Sequence, residues 1–270
     1  MKRKIGRLLN RLLSPFGVCV HRVKNEEDET PIKVNTKEIN ENVPQPSGVE
    51  NKWIRDYGFK TVIDIGANEG QFAQKISEII PSIRLICFEP LKTPFDILKS
   101  KFSNHQNSFF QFVLGRKEAE VFINRNEYSP SSSLLPMAEI HKKNFSFARK
   151  ESPEKILIKM LGKITKNMEV LEPFIIKIDV QGYEIEVMSG GKEFIKKADM
   201  IIIETSFFKL YEGGPLFADV YGFLIKNGFV YAGSFEQLIS PINDAVLQQD
   251  SVFVKPKVFE IIWKENHAKT

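Results

Sequence analysis

Val62-Ile63-Asp64-Ile65-Gly66-Ala67-Asn68-Glu69-Gly70-Gln71-Phe72 decides how the rest of the chain is read. A β-branched apolar run enters a glycine turn, and the turn opens a segment whose apolar residues Phe72, Ile76, Ile79 and Ile80 recur at helical spacing. Gly66 permits the tight turn, and Gly70 permits close approach of the helix to the strand or to a ligand. In a doubly wound fold such a turn sits at the carboxyl edge of the sheet, where ligands bind.

Working outward, strand-like and helix-like segments alternate. Strands are predicted at Thr61 to Ile65, Arg84 to Phe88, Phe109 to Leu114, Phe174 to Ile178, Met200 to Glu204, Phe229 to Ala232 and Ser251 to Val254. Helices are predicted at Gln71 to Ile80, Phe95 to Phe102, Glu184 to Lys197 and Leu216 to Asn227. Strands apolar on both faces and separated by helices indicate a mostly parallel sheet covered on both sides. No internal repeat is present. Residues 51–256 read as one domain, 1–50 as an arm and linker, and 257–270 as a C-terminal tail.

The 270 residues include 38 Lys and Arg against 34 Asp and Glu, a net charge of +4. Residues 1–24 hold Lys2, Arg3, Lys4, Arg7, Arg11, Arg22 and Lys24 and no acid. The remainder is acidic overall, which argues against nucleic acid as a partner, since phosphate contacts dominate such affinity. Within the arm, Ile5, Leu8, Leu9, Leu12, Leu13 and Phe16 mark one helical face before Pro15 and Gly17 break the pattern. Residues 1–17 therefore read either as a basic amphipathic helix on an anionic membrane surface or as a helix docked on protein. No run approaches the roughly 20 apolar residues of a membrane span. The expected location is cytoplasmic, with peripheral contact at the inner face of the membrane. Two cysteines, Cys19 and Cys87, exclude a disulfide scaffold.

The ligand of the glycine turn follows from its chemistry. A dinucleotide site uses G-x-G-x-x-G, whose second glycine lets the backbone touch pyrophosphate. Here the spacing is G-x-N-x-G, with Asn68 in the middle and Gln71 at the third-glycine position. Asp64 adds a carboxylate that repels pyrophosphate and suits a cationic amine. S-adenosylmethionine carries an ammonium and a sulfonium and no phosphate, so it fits better than a nicotinamide dinucleotide. Cys87-Phe88-Glu89-Pro90 then places an acid at the end of the second strand, where it can accept both ribose hydroxyls. The plain alternative is two solvated loop acids beside an ordinary turn.

These residues resemble the FkbM-type methyltransferases. The likeness runs through Asp64-Ile65-Gly66-Ala67-Asn68-Glu69-Gly70-Gln71-Phe72-Ala73, Phe88-Glu89-Pro90 and Lys177-Ile178-Asp179-Val180-Gln181-Gly182-Tyr183-Glu184. It continues at Ser131-Ser132-Ser133-Leu134-Leu135-Pro136-Met137, Glu204-Thr205-Ser206, Leu210-Tyr211-Glu212-Gly213 and Leu247-Gln248-Gln249-Asp250-Ser251-Val252-Phe253. The resemblance implies an α/β fold of class I, Rossmann-like and seven-stranded, that uses S-adenosylmethionine for O-methylation, with many members similar to glycan-modifying enzymes. Candidate cofactor residues are Asp64, Gly66, Ala67, Asn68, Gly70, Phe72, Glu89 and Pro90.

A sugar hydroxyl is a weak nucleophile, so a general base should assist its attack. Asp179, after an apolar strand, reads as that base or as an acceptor-positioning group; the alternative is a helix cap. Lys177 shares its strand face and could pair with it. Glu204 ends the next strand and could join Asp179. His141 is a third candidate base by its near-neutral reference pKa, or else a surface side chain. Two carboxylates without a third ligand do not make a metal site, so no metal is expected. The reading is an O-methyltransferase acting on a hydroxyl of a cell-surface glycan or its lipid-linked precursor. The alternative is a non-catalytic module of the same fold in a membrane-associated glycan-assembly complex.

Overall fold

A computed structural model describes residues 52–126, 129–145 and 151–267. The readings made of residues 1–50 lie outside these. The strands are β1 Thr61–Ile65, β2 Arg84–Phe88, β3 Ser108–Phe110, β4 Val113–Leu114, β5 Ala119–Asn126, β6 Glu151–Lys159, β7 Phe174–Ile178, β8 Met200–Ser206, β9 Val230–Ile239 and β10 Val246–Val254. The α-helices are α1 Lys52–Tyr57, α2 Gln71–Ile79, α3 Lys92–Lys101, α4 Glu139–Asn144, α5 Leu161–Ile164, α6 Glu184–Gly190, α7 Lys192–Ile195, α8 Phe217–Lys226 and α9 Pro256–His267.

Seven strands form one sheet in the order β3-β2-β1-β7-β8-β10-β9. The pairs from β3 across to β8 are parallel, and β10 runs antiparallel to both β8 and β9. The order reverses between β1 and β7, which opens a crevice at their carboxyl ends. This is the class I, Rossmann-like arrangement that the resemblance implied.

Strand periodicity divides the core into two layers. Ile63, Ile65, Ile86, Phe88, Ile176, Ile178, Ile201 and Ile203 face one side, covered by Leu161, Val187, Met188, Ile195, Val220 and Leu224 from α5 to α8. Val62, Leu85, Cys87, Ile175, Met200, Ile202, Val252 and Val254 face the other, covered by Ile54, Ala73, Ile76, Leu98 and Val258 from α1, α2, α3 and α9. Each such fully buried large side chain contributes about 1.5–3 kcal/mol relative to exposure.

The structure departs from the sequence reading in four places. The strand predicted over Phe109 to Leu114 is two, β3 in the main sheet and β4 in a second sheet of order β4-β6-β5. The helix predicted over Glu184 to Lys197 is also two, α6 and α7. Gly191 separates them, and it and Gly190, the last residue of α6, sit where other elements pack at close range: a Cβ on Gly190 would lie 2.0 Å from the Gly115 carbonyl oxygen, and one on Gly191 2.7 Å from Leu161. The antiparallel β5–β6 pair was not anticipated. Residues assigned to a tail beyond 256 begin in α9, where Val258 is fully buried.

Candidate functional site

The glycine turn takes the shape its residues require. Gly66 has φ 84° and Gly70 φ 87°, both in the left-handed region. Asn68, at φ 47°, is a residue type that tolerates that region. A Cβ on Gly66 would lie 1.8 Å from the Asp179 carbonyl oxygen, so only glycine lets the β1 turn pass the end of β7. The Gly66 and Ala67 N–H groups both donate to the Phe88 carbonyl, at 2.9 and 3.0 Å, which fixes the turn to the end of β2.

Above this edge lies a cavity of about 310 Å³. At the β1 and β2 end its wall includes Gly66, Asn68, Phe88, Glu89, Pro90 and Leu91; at the β7, β8 and β10 end it includes Asp179, Gln181, Glu204 and Gln248, with Ser131, His141 and Phe145 alongside. Glu89 is 4% exposed. One of its oxygens accepts the Asn68 N–H at 2.9 Å and the other the Leu91 N–H at 2.8 Å. Burial nevertheless pushes its carboxyl up to about 7, outweighing those two hydrogen bonds.

The other end is organised by Gln181. Its amide nitrogen donates to Asp179 at 2.7 Å and to Glu204 at 3.0 Å, and its carbonyl oxygen accepts the Tyr211 hydroxyl at 2.6 Å. Gln181 holds φ 53°, an unusual conformation for a side chain of its size, and the Ser133 hydroxyl donates to its backbone carbonyl at 2.6 Å. Burial first, then the neighbouring Asp179, push the Glu204 carboxyl well above its ordinary range. Beneath them Lys177, buried in the sheet, donates to Asp250 at 2.8 Å and to Asp179 at 3.4 Å. Glu184, also buried, accepts the Gly182 N–H at 3.0 Å, and its carboxyl is pushed by burial to about 7.

The sequence candidates fall into three groups. Gly66, Asn68, Glu89, Pro90, Asp179, Glu204 and His141 line the cavity. Ala67 and Gly70 shape the turn without lining it; Gly70 is pressed against Phe102 and Leu98 of the α3 end. Phe72 packs in the core layer below, 5.9 Å from the Lys177 ammonium. Asp64 also lies below the turn, 1% exposed, with its Oδ2 lacking a hydrogen-bond partner, and burial raises its carboxyl to about 7. Asp179 is not a helix cap, because α6 begins at Glu184 with Tyr183 in the cap position. His141 is 3% exposed rather than a surface side chain, with edge-to-face contacts to Phe145 and Tyr211. Burial lowers its pKa. Gln181, Tyr211, Asp250 and Gln248 lie in motifs that the sequence displayed, but their mutual contacts had no local signal. Among the described residues, no group of three or more His, Cys, Asp or Glu is arranged to hold a metal ion. No described helix is long and apolar enough to cross a membrane.

The residues fit S-adenosylmethionine. Glu89 can accept two ribose hydroxyls, and Phe88, Leu91, Phe112 and Val113 offer an apolar wall for a base.

Comparison with known proteins agrees with this geometry. Residues 64–231 match the methyltransferase FkbM domain family. The 2-O-methyltransferase NoeI of Sinorhizobium fredii is 24% identical over 164 residues, which are 56% of this chain and 65% of the relative, so the match spans slightly under two thirds of that protein's length. Among solved structures, magnesium protoporphyrin IX methyltransferase from Synechocystis with bound S-adenosylmethionine aligns at 12% identity and a TM-score of 0.42, covering 77% of this chain and 76% of that one. A Burkholderia thailandensis 1,6-didemethyltoxoflavin-N1-methyltransferase aligns at 8% identity and a TM-score of 0.42, covering 76% and 74%. Superpositions this loose leave the fold assignment to the strand order itself, while the family match extends from the carboxylate below the turn to the start of β9. The chain belongs to the FkbM family of S-adenosylmethionine-dependent methyltransferases.

Proposed function

We propose that the chain transfers a methyl group from S-adenosylmethionine to a hydroxyl of a saccharide, on a cell-surface glycan or its lipid-linked precursor. The observation that carries this reading is a single cavity with a diol-accepting carboxylate, Glu89, at one end and the Gln181-bridged Asp179 and Glu204 at the other. Bound at the first end, S-adenosylmethionine supplies an electrophilic methyl group on a sulfonium. Glu89, Asn68 and the Gly66 turn would hold it there. Asp179 would take the proton of the attacking hydroxyl. Glu204, whose carboxyl burial pushes well above its ordinary range, would hydrogen-bond a neighbouring hydroxyl. His141 stands nearby as a second polar contact. Orienting donor and acceptor in one cavity is worth at most about 7–11 kcal/mol of barrier, and a positioned base contributes about 10²–10⁴-fold.

The O-methyl assignment is supported by the similarity to NoeI, a 2-O-methyltransferase. The basic amphipathic pattern of residues 1–17 supports the lipid-linked version. The test is to incubate the full chain with methyl-labelled donor and a host extract and to identify the labelled product by mass spectrometry. A methyl ether on a glycan is the expected outcome. Donor binding without any methylated glycan would refute the assignment.

A further inference from the structure

We propose that the β7, β8 and β10 end of the cavity is a subsite for a hydroxylated ring without negative charge, and that it turns away uronates and phosphorylated rings. The proposal deepens the saccharide reading above and rests on it.

The argument starts from what faces the ring. Asp179 and Glu204 line this end with Gln181 between them. The Gln181 amide is neutral, so it orders the two carboxyl groups without cancelling charge. Lys177 is 3% exposed, lies outside the wall, and is shared between Asp179 and Asp250. Among the described residues lining the cavity there is no Lys or Arg.

A second, independent feature asks for a polar ligand at the same end. His141 is 3% exposed and lines the cavity, and its Nδ1 has no hydrogen-bond partner. A hydroxyl, which can both donate and accept, satisfies a buried, unpartnered Nδ1 in either tautomer.

The protein's own groups already show the repulsion. Beside Asp179, Glu204 resists ionisation, with burial the larger cause and Asp179 the next. It can relieve that by keeping a proton. A uronate or a phosphate monoester cannot keep one at neutral pH, so the full like-charge penalty falls on binding. At about 5 Å and an effective dielectric constant of about 20, that penalty corresponds to selectivity on the order of 100-fold. A neutral ring, or one bearing an ammonium, escapes it. The exclusion works by an unpaired charge rather than by shape.

The test loads the full chain with S-adenosylhomocysteine and measures binding of methyl hexosides, methyl hexosaminides and methyl hexuronides by saturation-transfer NMR and calorimetry. Neutral and amino sugars are expected to bind at least tenfold more tightly than the matching hexuronide. Asp179→Asn should narrow that gap, because it removes the charge and keeps the shape. Equal or tighter binding of the hexuronide overturns the proposal, as does a gap that Asp179→Asn leaves unchanged. If S-adenosylhomocysteine binds and no sugar does, the saccharide subsite is overturned while the donor site stands. If S-adenosylhomocysteine itself fails to bind, the reading of the whole cavity falls.

Discussion

Replacing Glu89 by Gln probes the donor end of the cavity and leaves the acceptor end alone. The two Glu89 oxygens accept backbone N–H groups of Asn68 and Leu91 at 2.9 and 2.8 Å, and each keeps a lone pair for a ribose hydroxyl. Gln preserves the shape but turns one oxygen into an NH₂. One backbone N–H then loses its acceptor, and one hydroxyl loses a charged partner. A hydrogen bond to a charged group is worth about 1.5–3 kcal/mol, so the donor should bind about 10- to 100-fold more weakly. The pH profile adds a second signature. Glu89 titrates at about 7 in the folded chain against a usual 4.5. Below that pH the free protein holds a proton there, which two donated hydroxyls must displace. Wild-type affinity should therefore fall about tenfold per pH unit below 7 on account of Glu89 and level off above it. Asp64, also raised to about 7, adds a dependence of its own that survives in Glu89→Gln. The sign for folding runs the other way. A folded pKa above the unfolded one means that the contribution of Glu89 to stability is complete below about pH 4.5 and is lost as pH rises through 7. Donor binding offsets that loss, so the rise in Tm on adding donor should grow between pH 5 and 8. Calorimetry in two buffers of different ionisation enthalpy reads both the affinity and the protons released. A Glu89→Gln protein with wild-type affinity and wild-type pH profile would refute the reasoning.

The other expectations are more direct. Asp179→Asn should lower kcat about 10²–10⁴-fold and leave donor affinity near wild type, measured by labelled-methyl transfer and calorimetry. Gly66→Ala should destabilise by about 4 kcal/mol or more, because the new Cβ meets the Asp179 backbone at 1.8 Å. Gly58→Ala has the same φ of 84° with nothing within 4 Å and should cost only about 1–2 kcal/mol; equal urea midpoints for the two variants would contradict the close-approach argument. Lys177→Met leaves the acids around it without their shared cation and should cost about 3–5 kcal/mol, with the deficit deepening as pH rises.

The sheet was legible because its strands are short apolar runs bounded by glycine and proline, and because helical spacing marks α2 and α8 between them. The turn at Gly66 and the acid at Glu89 were legible for a related reason: each sits at a fixed offset from the end of a strand, so local pattern is enough. The antiparallel β5–β6 pair was not. Its outer face carries Phe122 at 65% and Leu157 at 47% exposure, and inner and outer residues are both apolar. The alternation that marks a half-buried strand is therefore blurred. The break between β3 and β4 escaped for want of a glycine, proline or asparagine; the stretch from Phe109 to Leu114, interrupted only by Gln111, serves two sheets.

The contacts that build the acceptor end are set by register, which composition does not encode. Asp64 pairs in register with Lys177, and Glu204 with Asp250. All four lie on one face of adjacent strands, at positions that continue the Val62, Ile175, Ile202 and Val252 layer toward the carboxyl edge. Three acids thus gather around one ammonium that is buried in the sheet. From the sequence, Asp64 read as a group that grips the donor directly. The structure instead puts it beneath the turn, out of the cavity wall, with one oxygen unpartnered. A ligand in the cavity is separated from it by the glycine turn. The turn is thin at Gly66 because a side chain there would collide with the end of β7.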